Sequence, residues 1–233
     1  MSTTLPPPLK LGKEPRAAKS ARAIEILKRL GAAMPEAKIE LDYTNPLELV
    51  VAVALSAQTT DKRVNMVTPD LFAKFKTAAD YAAATPKQIE KYIKTVGLFR
   101  NKAKSLVKLG KALVEKHGGV VPGKRDELVE LPGVGNKTAG VVTIHLGVEK
   151  AFPVDTHILR LSKRLGLSAR SDPDDVEADL RKVVPEADWF MGHQLLIWHG
   201  RRCCDAQRPE CHRCVVLDLC PRRGVKKVRA PSP

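Results

Sequence analysis

Four of the chain's five cysteines, Cys204, Cys211, Cys214 and Cys220, stand near its C-terminus with intervals of six, two and five residues between them. Four thiolates in so short a stretch can hold either tetrahedral zinc or an iron–sulfur cluster. Zinc ribbons usually pair two C-x-x-C knuckles. Here only Cys211 and Cys214 form one and the outer cysteines are single, a layout that suits wrapping around a larger cubane. Cys203 adjoins Cys204, does not easily share its geometry, and is set aside as a buried spare thiol. Arg201, Arg202, Arg208 and Arg213 stand around the ligands, where they offset the negative charge of a thiolate cluster.

A second place for chemistry is Lys137. The run Asp126-Glu-Leu-Val-Glu-Leu-Pro-Gly-Val-Gly-Asn-Lys-Thr-Ala sets two short helices around the turn Pro132-Gly133-Val134-Gly135. Gly133 and Gly135 can take positive φ and let a phosphate approach the backbone, while free N–H groups at the start of the second helix act as donors. That is a grip on a nucleic-acid backbone without sequence readout, although an ordinary helix corner has the same composition. Lys137 falls in the first turn of the second helix, where the macrodipole disfavours a cation. The same field helps an ammonium lose its proton and act as an amine nucleophile of the Schiff-base kind, especially if the pocket is partly desolvated. Pairing with a phosphate is the simpler role for such a lysine.

Asp155 lies where Phe152-Pro-Val-Asp-Thr-His-Ile-Leu-Arg-Leu enters a helix. Capping that helix is a sufficient reason for it, and a carboxylate held by helix N–H groups also stays ionised and can stabilise a cationic sugar. His157, Gln58 and Leu98 read locally as a surface or core histidine, a helix-end amide and a packed apolar residue. An enzyme that extrudes a stacked base must also fill the gap, and a polar plus an apolar side chain on loops suits that task.

These residues need a scaffold, and composition bounds it. The 233 residues, 43% of them apolar, suffice for one compact core or two smaller ones. Forty Lys and Arg against 26 Asp and Glu leave a net charge of +14, which favours a polyanion, nucleic acid first. No apolar run reaches the length of a membrane span and no apolar signal stretch opens the chain, so a cytoplasmic, nucleoid-associated protein is expected. Five cysteines, clustered and odd in number, then read as ligands rather than disulfides.

The apolar period is helical almost throughout, with helices expected near residues 18–32, 46–57, 60–74, 87–95, 125–131, 136–147, 156–166, 173–183 and 186–202. The best-marked helix carries Ala103, Leu106, Val107, Gly110, Leu113 and Val114 on one face and stops at Gly118 and Gly119. Convincing strands are absent, so the fold class is all-α. Residues 1–16, with three consecutive prolines, read as a flexible basic arm, and residues 222–233 as a basic tail.

Taken in order, Leu55-Ser-Ala-Gln-Thr-Thr-Asp, Tyr92-Ile-Lys-Thr-Val-Gly-Leu, Leu131-Pro-Gly-Val-Gly-Asn-Lys-Thr-Ala, Val154-Asp-Thr-His and the cysteine spacing resemble endonuclease III, over roughly residues 20–221. The resemblance implies a helix-hairpin-helix DNA glycosylase with two helical lobes and a DNA-binding cleft between them. One lobe is a six-helix domain, residues 39–150, with the hairpin at about 125–147. The other is a cluster lobe built from residues 17–38 and 151–221.

It further implies a monomer that acts on double-stranded DNA containing damaged bases or abasic (AP) sites. Lys137 would attack C1′ of an oxidised pyrimidine nucleotide and cut the strand by β-elimination, and Asp155 would assist ionisation and proton transfer. Gln58, Leu98 and His157 would fill the gap or meet the opposite strand, with Gly133, Val134, Gly135 and Asn136 on the DNA backbone. Cys204, Cys211, Cys214 and Cys220 would hold a [4Fe–4S] cluster. Asn136 stands where many bacterial members carry arginine and Gly140 where a larger polar residue is frequent; these departures bear on phosphate contact and turnover, not on reaction class. Two other readings are a related monofunctional mismatch glycosylase, against which Lys137 argues, and a non-catalytic DNA-binding module with structural zinc.

Overall fold

The computed structural model describes residues 5–229; the first four residues of the expected arm and the last four of the expected tail lie outside them. Among the described residues the chain is all-α, with no strand. Helix α1 (Arg16–Ala33) comes first. It is followed by α2 (Pro46–Ser56), α3 (Asp61–Asn65), α4 (Thr68–Lys74), α5 (Ala78–Ala83), α6 (Pro86–Ile93) and α7 (Phe99–His117). Next come α8 (Arg125–Val129), α9 (Asn136–His145), α10 (Thr156–Arg164), α11 (Pro173–Val183) and α12 (Trp189–Arg202). No helix among the described residues is long and apolar enough to cross a membrane.

The chain divides into two compact units: an inserted unit, Ile39–Lys150, and a flanking unit made of the segments that end at Lys38 and resume at Ala151. In the inserted unit α2 is apolar on every side and buries Leu49, Val50, Val51, Ala52, Val53 and Leu55, as a central helix must. Asn45 caps it by accepting from the Glu48 N–H at 3.0 Å, with Pro46 in the first turn. Around it, α7 packs on α5 and α6, and α9 packs on α2 and α8.

Two expectations change here. The stretch 60–74 is two helices, broken at Met66 and Val67, and Val114 is 41% exposed, off the buried face of α7. Gly110 has a packing reason: a Cβ there would stand 2.6 Å from the Ala82 nitrogen and from the Tyr81 Cβ, so only glycine lets α5 and α7 approach so closely.

In the flanking unit α1 buries Ala23, Ile26, Leu27 and Leu30 against α11 and α12. The Arg22 guanidinium is buried and bridges Glu14 through both carboxylate oxygens at 2.8 Å while donating to the Leu165 carbonyl at 2.6 Å. The residues just before α1 are thereby tied to the end of α10. Trp198 donates its indole N–H to the Lys38 carbonyl at 2.7 Å, which fixes where the chain leaves this unit.

Candidate active site and metal centre

The hairpin is built on apolar anchors. Leu128, Leu131 and Val134 are buried, and the turn closes through Leu131 N–H to the Leu128 carbonyl and Val134 N–H to the Leu131 carbonyl. Gly133 has φ +85°, and a Cβ there would come within 3.0 Å of the Ser105 Cβ on α7, so glycine is required by conformation and by space. Gly135 differs from expectation: its φ is −93°, ordinary extended backbone, and a Cβ would meet nothing within 4 Å. Its use is exposure.

As the N-cap of α9, Gly135 brings no side chain to the helix end, so the opening N–H groups of α9 stay available to an outside anion. Val134 is buried and its N–H is already taken, so of the four turn residues expected to meet DNA it serves as an anchor. Asn136 and Lys137 are exposed in the first turn. Gly140, the other position that departs from the resemblance, lies on the buried side of α9, and its carbonyl accepts from the Thr143 hydroxyl at 3.1 Å.

Also in the inserted unit, Gln58 and Leu98 are both exposed and both left-handed, each with φ 56°. For residues with a Cβ this conformation costs about 1–2 kcal/mol apiece. Three further groups sequence reasoning did not single out bring the two segments together. Gly97 N–H donates to the Thr59 hydroxyl at 3.1 Å, and the Lys102 ammonium reaches the carbonyls of Leu55 and Ala57. Neither φ value has a local sequence signal, since glycine stands at neither position and Gly97 lies one residue before the second.

In the flanking unit, Asp155 is the N-cap of α10, its Oδ1 accepting from the Ile158 N–H at 2.8 Å. The capping role is therefore real, and it uses one carboxylate oxygen. His157, half-buried two residues on, meets Arg160 through Nδ1 at 3.2 Å. Burial pushes its pKa below the usual value, outweighing Asp155, and Arg160 and Arg201 act in the same direction as burial. The folded state thus holds fewer protons than the unfolded chain, whose histidines titrate near 6.5, so this contribution to stability is present above about pH 6.5 and is lost as pH falls below it. We expect His157→Asn to flatten the acid side of a plot of thermal midpoint against pH; an unchanged slope would assign that slope to other groups.

All five cysteines are free thiols. Cys203, Cys211 and Cys220 are buried, and Cys204 and Cys214 half-buried. Cys214 is pushed up to about 12 by its hydrogen bond with Cys203 and by burial, and Cys220 to about 12 by burial, with Cys204, Cys214 and Cys211 adding to it. Cys204 and Cys211 are raised by burial first and then by neighbouring thiols. Four mutually repelling sulfurs that resist ionisation alone are what a bound cation would stabilise as thiolates. Donors already face them: Arg164 Nη1 lies 3.3 Å from the Cys204 sulfur, and Arg222 N–H 3.4 Å from that of Cys220. The donor set fits a thiolate-held metal group.

Cys203 is closer to this group than its sequence position implied, since His199, Cys203 and Cys214 place their ligand atoms within 4.8 Å of one another. The arginines that organise the loop also differ from those expected. Arg202 stacks on Trp198 and Arg213 pairs with Glu210. The buried Arg164 instead donates to the carbonyls of Cys204, Asp205 and Ala206 at 3.2, 2.6 and 2.6 Å. Arg160, one turn earlier, bonds the carbonyls of Gly200 and Cys204. Their i, i+4 spacing on α10 was the available clue.

Comparison with known proteins gives this geometry a context. The profile of the HhH-GPD superfamily base excision DNA repair proteins matches residues 51–186. Endonuclease III of Bacillus subtilis (strain 168) is 50% identical over 203 residues, covering 86% of this chain and 92% of that one. Endonuclease III of Escherichia coli (strain K12) is 40% identical over 200 residues, covering 86% and 95%. The solved structure of a trapped endonuclease III–DNA covalent intermediate superposes with a TM-score of 0.82 at 44% identity, covering 86% of this chain and 95% of that one.

Proposed function

The chain belongs to the HhH-GPD superfamily of base excision DNA repair proteins and, within it, to the endonuclease III family, and on that footing we propose the parts its own residues play. It is a DNA glycosylase and AP lyase of base excision repair. The observation that carries the assignment of roles is the exposed Lys137 on the uncapped first turn of α9. Backbone N–H groups there can bind a phosphate without consuming the amine. The Lys137 amine attacks C1′ of a damaged nucleotide, the bond from C1′ to the base breaks, and the base leaves with a proton. Ring opening gives a Schiff base between Lys137 and C1′, from which loss of a C2′ proton expels the 3′ phosphate. Asp155 stabilises the positive charge that develops on the sugar, and Gln58, Leu98 and His157 occupy or border the space the nucleotide vacates.

The substrates are oxidised pyrimidines and AP sites in duplex DNA, the enzyme works as a monomer, and its place is the cytoplasm, on nucleoid DNA. Cys204, Cys211, Cys214 and Cys220 hold a [4Fe–4S] cluster whose part is to order the loop, not to react. The grouping of His199, Cys203 and Cys214 is the one feature that favours zinc instead, and iron and sulfide analysis decides between them.

Borohydride should trap the wild-type protein covalently on duplex DNA carrying an oxidised pyrimidine; no trapping on any oxidised pyrimidine or AP site would overturn the lyase mechanism. For Asp155→Asn, base release should slow by about 10²–10⁴-fold with DNA affinity near normal, because asparagine still caps α10. Equal losses of affinity and rate would leave Asp155 with its capping role alone.

A further inference from the structure

We propose that Lys102 is a positioning residue for nucleotide extrusion, a single clamp on both of the bends that carry Gln58 and Leu98. Its ammonium donates to the Leu55 carbonyl at 2.8 Å, the Ala57 carbonyl at 2.5 Å and the Thr59 hydroxyl at 3.2 Å, so all three of its N–H bonds are used. These acceptors bracket Gln58 on both sides. The backbone N–H of Lys102 donates to the Leu98 carbonyl at 3.0 Å, the first bond of α7. Thr59 completes the link by accepting from Gly97 N–H, and a Cβ on Gly97 would stand 3.0 Å from the Gln58 carbonyl, so the two bends abut.

Both bends are held in the left-handed region by non-glycine residues, a conformation that persists only when the surroundings over-determine it. Lys102 supplies that determination. Its charge also answers the last carbonyls of α2, where the helix dipole is negative, and burial depresses its pKa, consistent with an amine turned into the protein rather than offered to DNA. A phosphate-binding lysine would reach outward; this one is turned in.

The proposal rests on the reading of Gln58 and Leu98 as gap-filling residues, and the experiment separates the two. Lys102→Met keeps the length of the side chain and removes its donors. On duplex DNA with an oxidised pyrimidine, where a base must leave the stack, single-turnover base release should fall about 10–100-fold. On a single-stranded oligonucleotide with a preformed AP site, where no stack is opened, cutting should stay within about 2-fold of wild type.

In a Gln58→Ala background the effect of Lys102→Met on the duplex should largely disappear, because the clamp then has less to hold. Equal losses on both substrates would make Lys102 merely structural, and an unchanged duplex rate would remove its role; either result overturns the proposal. Gln58→Ala without a duplex-selective loss would overturn the gap-filling reading and the clamp with it, whereas wild type failing to cut an AP site in both duplex and single strand would sink only the lyase assignment. If Lys102→Met does not fold, Thr59→Val carries the same comparison, with a duplex-selective loss supporting the clamp and an equal or absent loss rejecting it.

Discussion

Lys137→Ala should eliminate borohydride trapping and lower base release by about 10⁴-fold or more, the scale on which removal of a covalent nucleophile acts. The reason to expect so clean a result is that little else depends on the side chain. Lys137 is exposed, and the hairpin is held by the buried Leu128, Leu131 and Val134 and by the φ of Gly133. The N–H groups at the start of α9 belong to the backbone and survive the substitution, so DNA affinity should fall only modestly. Alanine is a better helix former and removes a cation from the positive end of the dipole, so the thermal midpoint should hold or rise slightly. A variant that still traps would move the nucleophile elsewhere, and one that loses affinity as steeply as rate would make Lys137 a phosphate ligand.

The largest effect on stability is expected at Arg164. Arg164 is 7% exposed, and its guanidinium serves three carbonyls of the 204–206 segment and the Cys204 sulfur. Replacing it with leucine leaves those acceptors buried and unserved, at a cost of about 3–5 kcal/mol, the range for stripping one partner from a buried charged network. Because Cys204 sits in the segment that Arg164 shapes, the loss should extend to the metal group. We therefore expect Arg164→Leu to lower the denaturant midpoint and, if these cysteines hold the proposed cluster, to purify with less iron and sulfide than wild type. Full iron with a wild-type midpoint would mean that the ligand loop orders itself without the guanidinium.

The difference between what could and could not be read from the sequence follows the range of the interactions. The α7 helix was legible because its apolar period and its Gly118 and Gly119 stop are local; Val114 was misplaced because the apolar stripe on α7 is narrower than the pattern suggested. Helix α5 was missed although Thr77 and Asp80 form a capping box, because six residues rich in alanine show no clear period. The break at Met66 and Val67 was hidden by an apolar pattern that continues across it.

Among the residues given roles by proposal, Lys137, Asp155 and the cysteines were legible by motif. The clamp at Lys102 and the cage at Arg164 were not, since each joins residues some forty positions apart through carbonyls, which every residue possesses. Gly135 shows the limit of reading glycine as conformation: its backbone is extended, and what glycine provides there is an open helix end.

The interrupted course of the flanking unit sets an order of assembly. Ala23, Ile26, Leu27 and Leu30 of α1 are buried only with residues such as Leu180, Leu195 and Leu196, which leave the ribosome after the whole of Ile39–Lys150. At about 5–20 residues per second, α1 waits on the order of ten to thirty seconds for its partners. During that interval the Ile39–Lys150 segment has every residue of its own core in hand and can fold first. A nascent chain halted before α11 would carry a finished hairpin unit beside an α1 whose apolar face is still exposed to water and to chaperones.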